Sequence, residues 1–239
     1  MALDYRRISL GEEVYASVRL IKSGLAELQE IGGANDFRDP AFMLLSSGFE
    51  RLMKCVLCFR QLEERGSLPS SRDIKAYGHD LERLLEAVVQ SCFDDDYLRR
   101  PAANDDAAYL VSNEQLLQVM AALSRFAKSA RYYNLDVVGG DSSDTDSPQQ
   151  EWDRLEMALL SDRHDLMEML GKPADFGRMD EEIARHFVVI FERLARALAR
   201  LFTLGPLGEE AGSYVGYVKG FLFLRDQDMG TRVYRQERI

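Results

Sequence analysis

The sequence contains three histidines, His79, His164 and His186, and they limit the acid–base and metal chemistry that it could support. His79 and His164 each precede an aspartate. Helical metal phosphohydrolases combine such a His-Asp pair with a further histidine well upstream, and no histidine precedes His79. Neighbouring residues of a helix also point about 100° apart, so one pair cannot form a metal centre alone. We therefore expect no metal site, and surface or helix-capping roles for the histidines.

Two of the three cysteines, Cys55 and Cys58, form a C-x-x-C spacing, which can indicate a redox pair or half of a zinc site. They lie within residues 49–59, an apolar stretch with helical spacing, and no second C-x-x-C supplies further zinc ligands. We therefore interpret them as small core residues. The odd cysteine count and the lack of a secretory signal in residues 1–10 predict a reducing, cytoplasmic environment.

The motifs of nucleophilic and phosphate-binding sites are missing from the sequence. It has neither G-x-S-x-G nor a glycine-rich phosphate loop, so we expect no cofactor. The net charge of −10 argues against a whole surface that binds nucleic acid or anionic lipid. A local basic surface for RNA or protein could still form on the outer face of one predicted helix, although exposed arginines usually serve only solvation. Its residues are Arg185, Arg193, Arg196 and Arg200.

Apolar residues at three- and four-residue steps predict an all-α fold, a bundle of about six to seven helices. The expected helices cover residues 9–31, 39–65, 79–93, 112–134, 148–171 and 180–204. The first should start at a capping box formed by Ser9 and Glu12, and the fourth at one formed by Ser112 and Gln115. No apolar run approaches the ~20 residues of a membrane helix, so no membrane partner is expected.

The last segment, residues 206–239, has an ambiguous pattern. Gly212, Gly216 and Gly220 repeat every four residues and would let a helix pack very closely on a neighbour. Three glycines also weaken a helix, by roughly 1 kcal/mol each. The tyrosines and valines around them would suit a strand pair. We predict a helix and keep the strand pair as the alternative.

A change of composition divides the chain near its middle. Residues 139–147 read GGDSSDTDS, which is too polar to bury and predicts a flexible, exposed linker. We therefore predict a helical bundle at residues 1–138, an acidic linker at residues 139–150, and a helical extension at residues 151–239 that could pack on the same core. Residues 67–77 should form a loop, and residues 94–106 a solvated connector.

A set of short motifs occurs in a specific order between residues 39 and 134. A helix with an E-x-x-x-K spacing comes first, a proline-containing loop follows, and a helix then starts with H-D-L-x-x-L-L. A later helix ends in A-R-Y. The residues of these motifs are Glu50, Lys54, His79, Asp80, Arg131 and Tyr132. This order resembles the HEPN superfamily, the higher eukaryotes and prokaryotes nucleotide-binding domains.

The resemblance implies a helical bundle that often forms dimers. Many members of the superfamily are RNA-cutting toxins or defence effectors, and others have no nuclease activity. The active members carry R-x(4–6)-H on a late helix, where both residues act on the 2′-hydroxyl and the phosphate. The only such spacing here joins Arg72 to His79, ahead of the third predicted helix, and residues 112–134 hold no histidine. The chain is therefore similar to a non-catalytic or diverged member.

These observations lead to one main hypothesis and two alternatives. The main hypothesis is a non-catalytic helical protein for binding or assembly, in a prokaryotic defence or toxin–antitoxin-like context. Its partner would be a second copy, another protein chain, or a nucleotide or RNA contacted locally. The alternatives are a metal-independent ribonuclease that uses Arg72 and His79, and a purely structural helical protein. A basic cleft in which Arg72 faces His79 would favour the ribonuclease.

Overall fold

A computed structural model of the chain describes residues 5–32, 37–140 and 146–237. These residues form 13 α-helices and no strand, which confirms the all-α prediction. The longer helices are α1 (Tyr5–Glu30), α2 (Asp39–Arg65), α4 (Leu81–Cys92), α6 (Pro101–Ser112), α7 (Glu114–Lys128), α9 (Pro148–Asp162) and α11 (Phe176–Leu204). The shorter ones are α3 (Ser71–Ala76), α5 (Asp95–Leu98), α8 (Tyr133–Gly139), α10 (His164–Leu170), α12 (Gly208–Gly212) and α13 (Val215–Leu222).

The expected count of six to seven helices was too low, in part because two predicted loops contain capped helices. Ser70 and Asp73 form a capping box that starts α3, within the expected loop at residues 67–77. The Asp94 carboxylate accepts the backbone N–H of Tyr97 and starts α5. Most residues of the predicted connector at residues 94–106 are exposed, as expected, but Tyr97, Ala103 and Asp106 are buried.

Both predicted capping boxes were wrong. The first helix already includes Tyr5, so Ser9 lies inside it. The fourth predicted helix, now α7, is capped by Asn113, whose side chain accepts the backbone N–H of Leu116 at 2.8 Å. Ser112 instead ends the preceding helix α6, and its hydroxyl donates to the carbonyl of Ala108. Asparagine caps as well as serine does, so the sequence contained two equivalent starts one residue apart.

Helices α1 and α2 form an antiparallel pair that is held close by two glycines. A Cβ atom on Gly24 would lie 2.6 Å from the Cγ atom of Leu45. A Cβ atom on Gly48 would lie 2.9 Å from the backbone nitrogen of Ile21. Any larger side chain at either position would push the two helices apart. This pair forms the scaffold on which α4, α7 and α11 pack.

The helices that follow the predicted linker share the hydrophobic core of those before it. Phe49 of α2 stacks on Phe191 of α11, with ring centroids 5.7 Å apart. Leu52 of α2, Leu123 of α7 and Leu194 of α11 belong to the same buried cluster. Five residues of the proposed linker, 141–145, lie outside the described residues. No helix in the described part of the chain is long and apolar enough to span a membrane.

The C-terminal segment is helical where the structure describes it. Residues 208–212 form α12 and residues 215–222 form α13, so the alternative of a strand pair is wrong. The three glycines do not form a tightly packed strip, because a Cβ atom on Gly212 or Gly216 would meet no neighbour within 4 Å. The chain then turns back across α11 and ends in a 3₁₀ turn, Tyr234–Glu237, against α1.

Candidate functional site

Three residues of the HEPN-like motifs meet at the junction of α2 and α4. The Nζ atom of Lys54 donates to the Glu50 carboxylate at 2.7 Å and to the carbonyl of Gly78 at 2.6 Å. The Nδ1 atom of His79 lies 3.0 Å from both carboxylate oxygens of Glu50. Glu50 and Lys54 are largely buried, whereas 59% of the His79 side chain is exposed. The residues therefore fasten the turn before α4 to the middle of α2.

Asp80 belongs to a second cluster at the start of α4. Its carboxylate accepts the backbone N–H of Arg83 and caps the helix, a role that the sequence left open between His79 and Asp80. It also accepts from the hydroxyl of Ser124 at 3.1 Å and from the Nζ atom of Lys128 at 2.8 Å. The hydrogen bond from Lys128 is the main reason why the pKa of Asp80 is lowered.

The proposed catalytic pair is not joined by any contact. Arg72 lies on the exposed first turn of α3. His79 is held by Glu50 across the turn. Among the described residues no hydrogen bond or ion pair links Arg72 to His79. The geometry therefore gives the imidazole an orienting carboxylate but does not couple it to the arginine of the proposed pair.

Arg131 and Tyr132, the last residues of the HEPN-like motifs, lie in a 3₁₀ turn after α7. The Nε atom of Arg131 is buried and has no hydrogen-bond partner among the described residues. The ring of Tyr132 is mostly exposed. No contact in the described structure brings either residue to Glu50 or His79.

An open cleft of about 630 Å³ lies beside Glu50 and Lys54, between α1, α2 and the loop before α3. It contains Arg6, Glu13 and Arg51 as further charged residues. Arg51 is ion-paired with Glu13, and the guanidinium of Arg6 donates to the carbonyl of Pro69 at 2.7 Å. Both carboxylates of the cleft are therefore paired with cations of the protein itself, Glu13 with Arg51 and Glu50 with Lys54.

The cysteines lie in the core, where burial disfavours their thiolate forms. Cys55, Cys58 and Cys92 are free and buried. Burial raises the pKa of Cys58 to about 11 and that of Cys92 to about 12, which makes both thiols poor nucleophiles at neutral pH. Among the described residues no three His, Cys, Asp or Glu side chains lie close enough together to hold a metal ion.

The four arginines predicted to form a basic surface all lie in α11, but they do not form one exposed face. Arg185 is exposed, whereas only 8% of the Arg196 side chain is accessible. Arg193 and Arg200 are half-buried with Arg196 in a cavity of about 780 Å³ between α6, α11 and the C-terminal segment. The sequence pattern placed them on one helix but did not indicate that other segments cover them.

The sequence analysis missed an apolar helix without a packing partner. No residue of α8 is buried, and the helix contacts chiefly the 3₁₀ turn that precedes it. Leu135 and Val137 are exposed, and Val138 is 83% accessible. The sequence does contain a signal for this exposed apolar helix. The segment YNLDVVG, between the A-R-Y motif and the glycine pair, is apolar without a matching polar face.

An apolar groove of about 370 Å³ lies between α4, α6 and α7. Leu85 and Met120 form part of its buried floor, and Val111 and Leu117 are exposed at its surface. Two exposed carboxylates of α4, Glu82 and Glu86, line its edge. The groove is open to a partner that offers apolar side chains.

Comparison with models of known protein families, with curated proteins and with solved structures found no match for this chain.

Proposed function

We propose that this chain is a non-catalytic assembly protein whose partner is a second copy of itself. The observation that carries the proposal is the exposure of Leu135, Val137 and Val138 of α8, together with an apolar groove elsewhere on the same chain that could receive them. A seven-residue helix is too short to be stable without packing partners. Burial of Leu135, Val137 and Val138 on another chain would supply the missing contacts.

The positions of α8 and the groove support a reciprocal arrangement. Asp80 at the start of α4 contacts Lys128 at the end of α7, so these helices run in opposite directions. The groove lies near Leu117 at the start of α7, whereas α8 follows its end. Lys128 follows Leu117 by eleven positions, which is about 16 Å along the helix. Two copies with antiparallel α7 helices would each place α8 in the groove of the other, and both apolar surfaces would be buried.

The charges at the two surfaces are also compatible. Glu82 and Glu86 line the groove, whereas Arg131 lies at the start of the segment that would enter it. A carboxylate of the groove could attract the guanidinium of Arg131 on the second copy. The HEPN-like motifs fit this proposal, since Glu50, Lys54 and His79 fasten α4 against α2 and thereby position the groove.

Sedimentation equilibrium of the full chain tests the proposal. We expect a dimer for the wild type at micromolar concentration, and a monomer for Val138→Glu, which places a charge on α8. Val233→Glu is the matched control, because Val233 is also an exposed valine but lies in the C-terminal segment. A monomeric wild type at 100 µM (on the order of the weakest specific dimers) would overturn the proposal, as would a dimer of Val138→Glu with unchanged affinity.

A mixing experiment tests the reciprocal geometry. Leu117→Glu should block the groove and give a monomer, as Val138→Glu does. In a mixture, the intact α8 of the Leu117→Glu chain can still enter the intact groove of the Val138→Glu chain. We therefore expect a heterodimer that is weaker than the wild-type dimer. If each variant is monomeric and their mixture stays monomeric, α8 does not bind in this groove.

A metal-independent ribonuclease is the second candidate, and the contact between Glu50 and His79 is the observation that favours it. An ionised carboxylate only accepts hydrogen bonds, so it places the proton of a neutral imidazole on Nδ1 and leaves Nε2 as a base. The assembly protein remains our first proposal, because no hydrogen bond or ion pair among the described residues joins Arg72 to His79.

A further inference from the structure

The cavity between α6, α11 and the C-terminal segment contains three arginines of one helix face. Arg200 is bound to Asp106, with its Nη1 atom 2.8 and 2.9 Å from the two carboxylate oxygens. Arg196 contacts the carbonyl of Leu224 at 3.0 Å and the carboxylate of Asp226 at 2.6 Å. The charged residues of the cavity therefore come from α6, α11 and the C-terminal segment, which are distant in sequence.

Two of the three guanidinium groups retain hydrogen-bond donors for a ligand. The guanidinium carbon of Arg193 lies 3.9 Å from the centre of the Tyr109 ring, and no carboxylate among the described residues is within ion-pair distance of it. Arg196 is more than nine-tenths buried, yet its Nε atom has no hydrogen-bond partner in the described structure. The contacts within the described structure therefore leave the Arg196 guanidinium incompletely satisfied and Arg193 without a carboxylate.

Asp226 occupies the position that such an acceptor would take. Its side chain is 86% exposed, and its ion pair with Arg196 is the main cause of its lowered pKa. Asp106, by contrast, is buried with Arg200 and cannot leave without exposing a buried charge. The pair of Asp226 with Arg196 is therefore the one that a ligand could replace, because the exposed carboxylate can move into solvent while a bound oxyanion keeps the buried Arg196 paired.

We propose that this cavity binds the phosphate group of a small phosphorylated molecule, which replaces the Asp226 carboxylate on Arg196 and is held also by Arg193. A tetrahedral oxyanion can accept from two guanidinium groups at once, and arginine is suited to such paired contacts. The cavity of about 780 Å³ exceeds what a free phosphate ion would fill and matches the usual size of sites for small organic ligands. The exposed carboxylate of Asp105 at the same cavity disfavours a ligand of higher negative charge, such as an RNA chain.

Isothermal titration calorimetry with three probes tests the proposal: adenosine monophosphate, adenosine and inorganic phosphate. We expect adenosine monophosphate and inorganic phosphate to bind, the monophosphate more tightly, and adenosine not to bind. Arg193→Gln should weaken the binding of both phosphates by about 10- to 100-fold, the usual effect of one charged hydrogen bond. Arg185→Gln is the matched control, since Arg185 is an exposed arginine of the same helix outside this cavity, and it should leave binding unchanged.

A gain of affinity provides the second test. Asp226→Asn removes the competing charge at an exposed position, so the protein should fold normally and bind phosphate about two- to five-fold more tightly. Binding of adenosine as tightly as its monophosphate, or of no probe, would overturn the proposal. So would phosphate binding that Arg193→Gln and Asp226→Asn both leave unchanged. Because the cavity does not include α8 or its groove, these outcomes are independent of the oligomeric state.

Discussion

The Nδ1 atom of His79 lies 3.0 Å from both carboxylate oxygens of Glu50, and this contact spans 29 residues of sequence. Lys54 binds the same carboxylate and the carbonyl of Gly78, the residue before His79. One carboxylate of α2 therefore fixes the turn that leads into α4. Holding this turn in place is a structural role, and it explains the spacing of Glu50, Lys54 and His79 without a role in catalysis.

The first prediction concerns RNA cleavage. If His79 only stabilises the turn before α4, the wild type should not cleave RNA. His79→Ala should then reduce the free energy of unfolding by less than about 1 kcal/mol, because the ring is mostly exposed. Cleavage is followed on single-stranded RNA without added metal. Arg72→Ala controls for contaminating nuclease. If the two residues form a catalytic pair, replacing either one should abolish cleavage, whereas a contaminant would be unaffected. Robust cleavage that is lost by about 10²-fold or more in both folded variants would establish the ribonuclease instead.

The second prediction concerns the ion pair of Lys54 with Glu50. Lys54→Met leaves a carboxylate with little exposure and without its cation, so the free energy of unfolding should fall by about 3–5 kcal/mol. Arg51→Met is the control on the same helix. Its ion pair with Glu13 is exposed, so its loss should cost at most about 1 kcal/mol. Urea unfolding measures both values.

The double variant Glu50→Gln/Lys54→Met separates pairing from packing. Without the buried charge, the loss of Lys54 should cost less than it does in the single variant. If Lys54→Met is as mild as Arg51→Met, the pair does not hold the turn before α4.

Local signals predicted the helices that begin and end within a few residues of a strong cap or stop. Helix α2 begins at Asp39 and ends at Arg65, where Gly66 takes a left-handed conformation with φ of 68°. The start of α7 was misplaced because Ser112 and Asn113 compete for the same cap. Helix α5 was missed because it is only four residues long and Tyr97 is buried against Phe93, a contact of tertiary structure.

The polar clusters were only partly predictable, because some of their contacts are local in sequence and others depend on how the helices pack. Glu50 and Lys54 lie four residues apart on a helix, so their contact follows from sequence alone. The contacts of Asp80 with Ser124 and Lys128 depend on how α4 packs against α7, which no local pattern encodes. Arg196 of α11 is buried because the C-terminal segment returns over that helix, and the sequence pattern did not predict where this segment packs.

The third prediction concerns the core. Leu52 and Leu123 lie in the buried cluster between α2, α7 and α11. Leu52→Ala and Leu123→Ala should each reduce the free energy of unfolding by about 2–5 kcal/mol through lost burial and the cavity left behind. Met157→Ala, at an exposed position of α9, should change it by less than about 0.5 kcal/mol. Melting temperatures of both leucine variants within a degree or two of the wild type would contradict the packing described.

The last prediction concerns the charge of Asp80. Asparagine caps a helix as well as aspartate does, so Asp80→Asn keeps the hydrogen bond from Arg83 and removes only the charge that meets Lys128 and the positive end of α4. At pH 7 the free energy of unfolding should fall by about 0.5–1 kcal/mol. Urea unfolding between pH 7 and the lowest pH at which both proteins remain folded measures the difference.

The sign of the pH dependence follows from the direction of the shift. The hydrogen bond from Lys128 lowers the pKa of Asp80 in the folded state, so the unfolded chain binds this proton more readily. The stability that the charge contributes is therefore complete above the ordinary value near 3.8 and is lost as the pH falls through the lower folded value. The wild type and Asp80→Asn should converge there, because a protonated aspartate is as neutral as asparagine. Asp153→Asn, an exposed change on α9, should differ little from the wild type at any pH. A difference between Asp80→Asn and the wild type that stays constant down to the lowest pH would show that the pair with Lys128 does not contribute to stability through its charge.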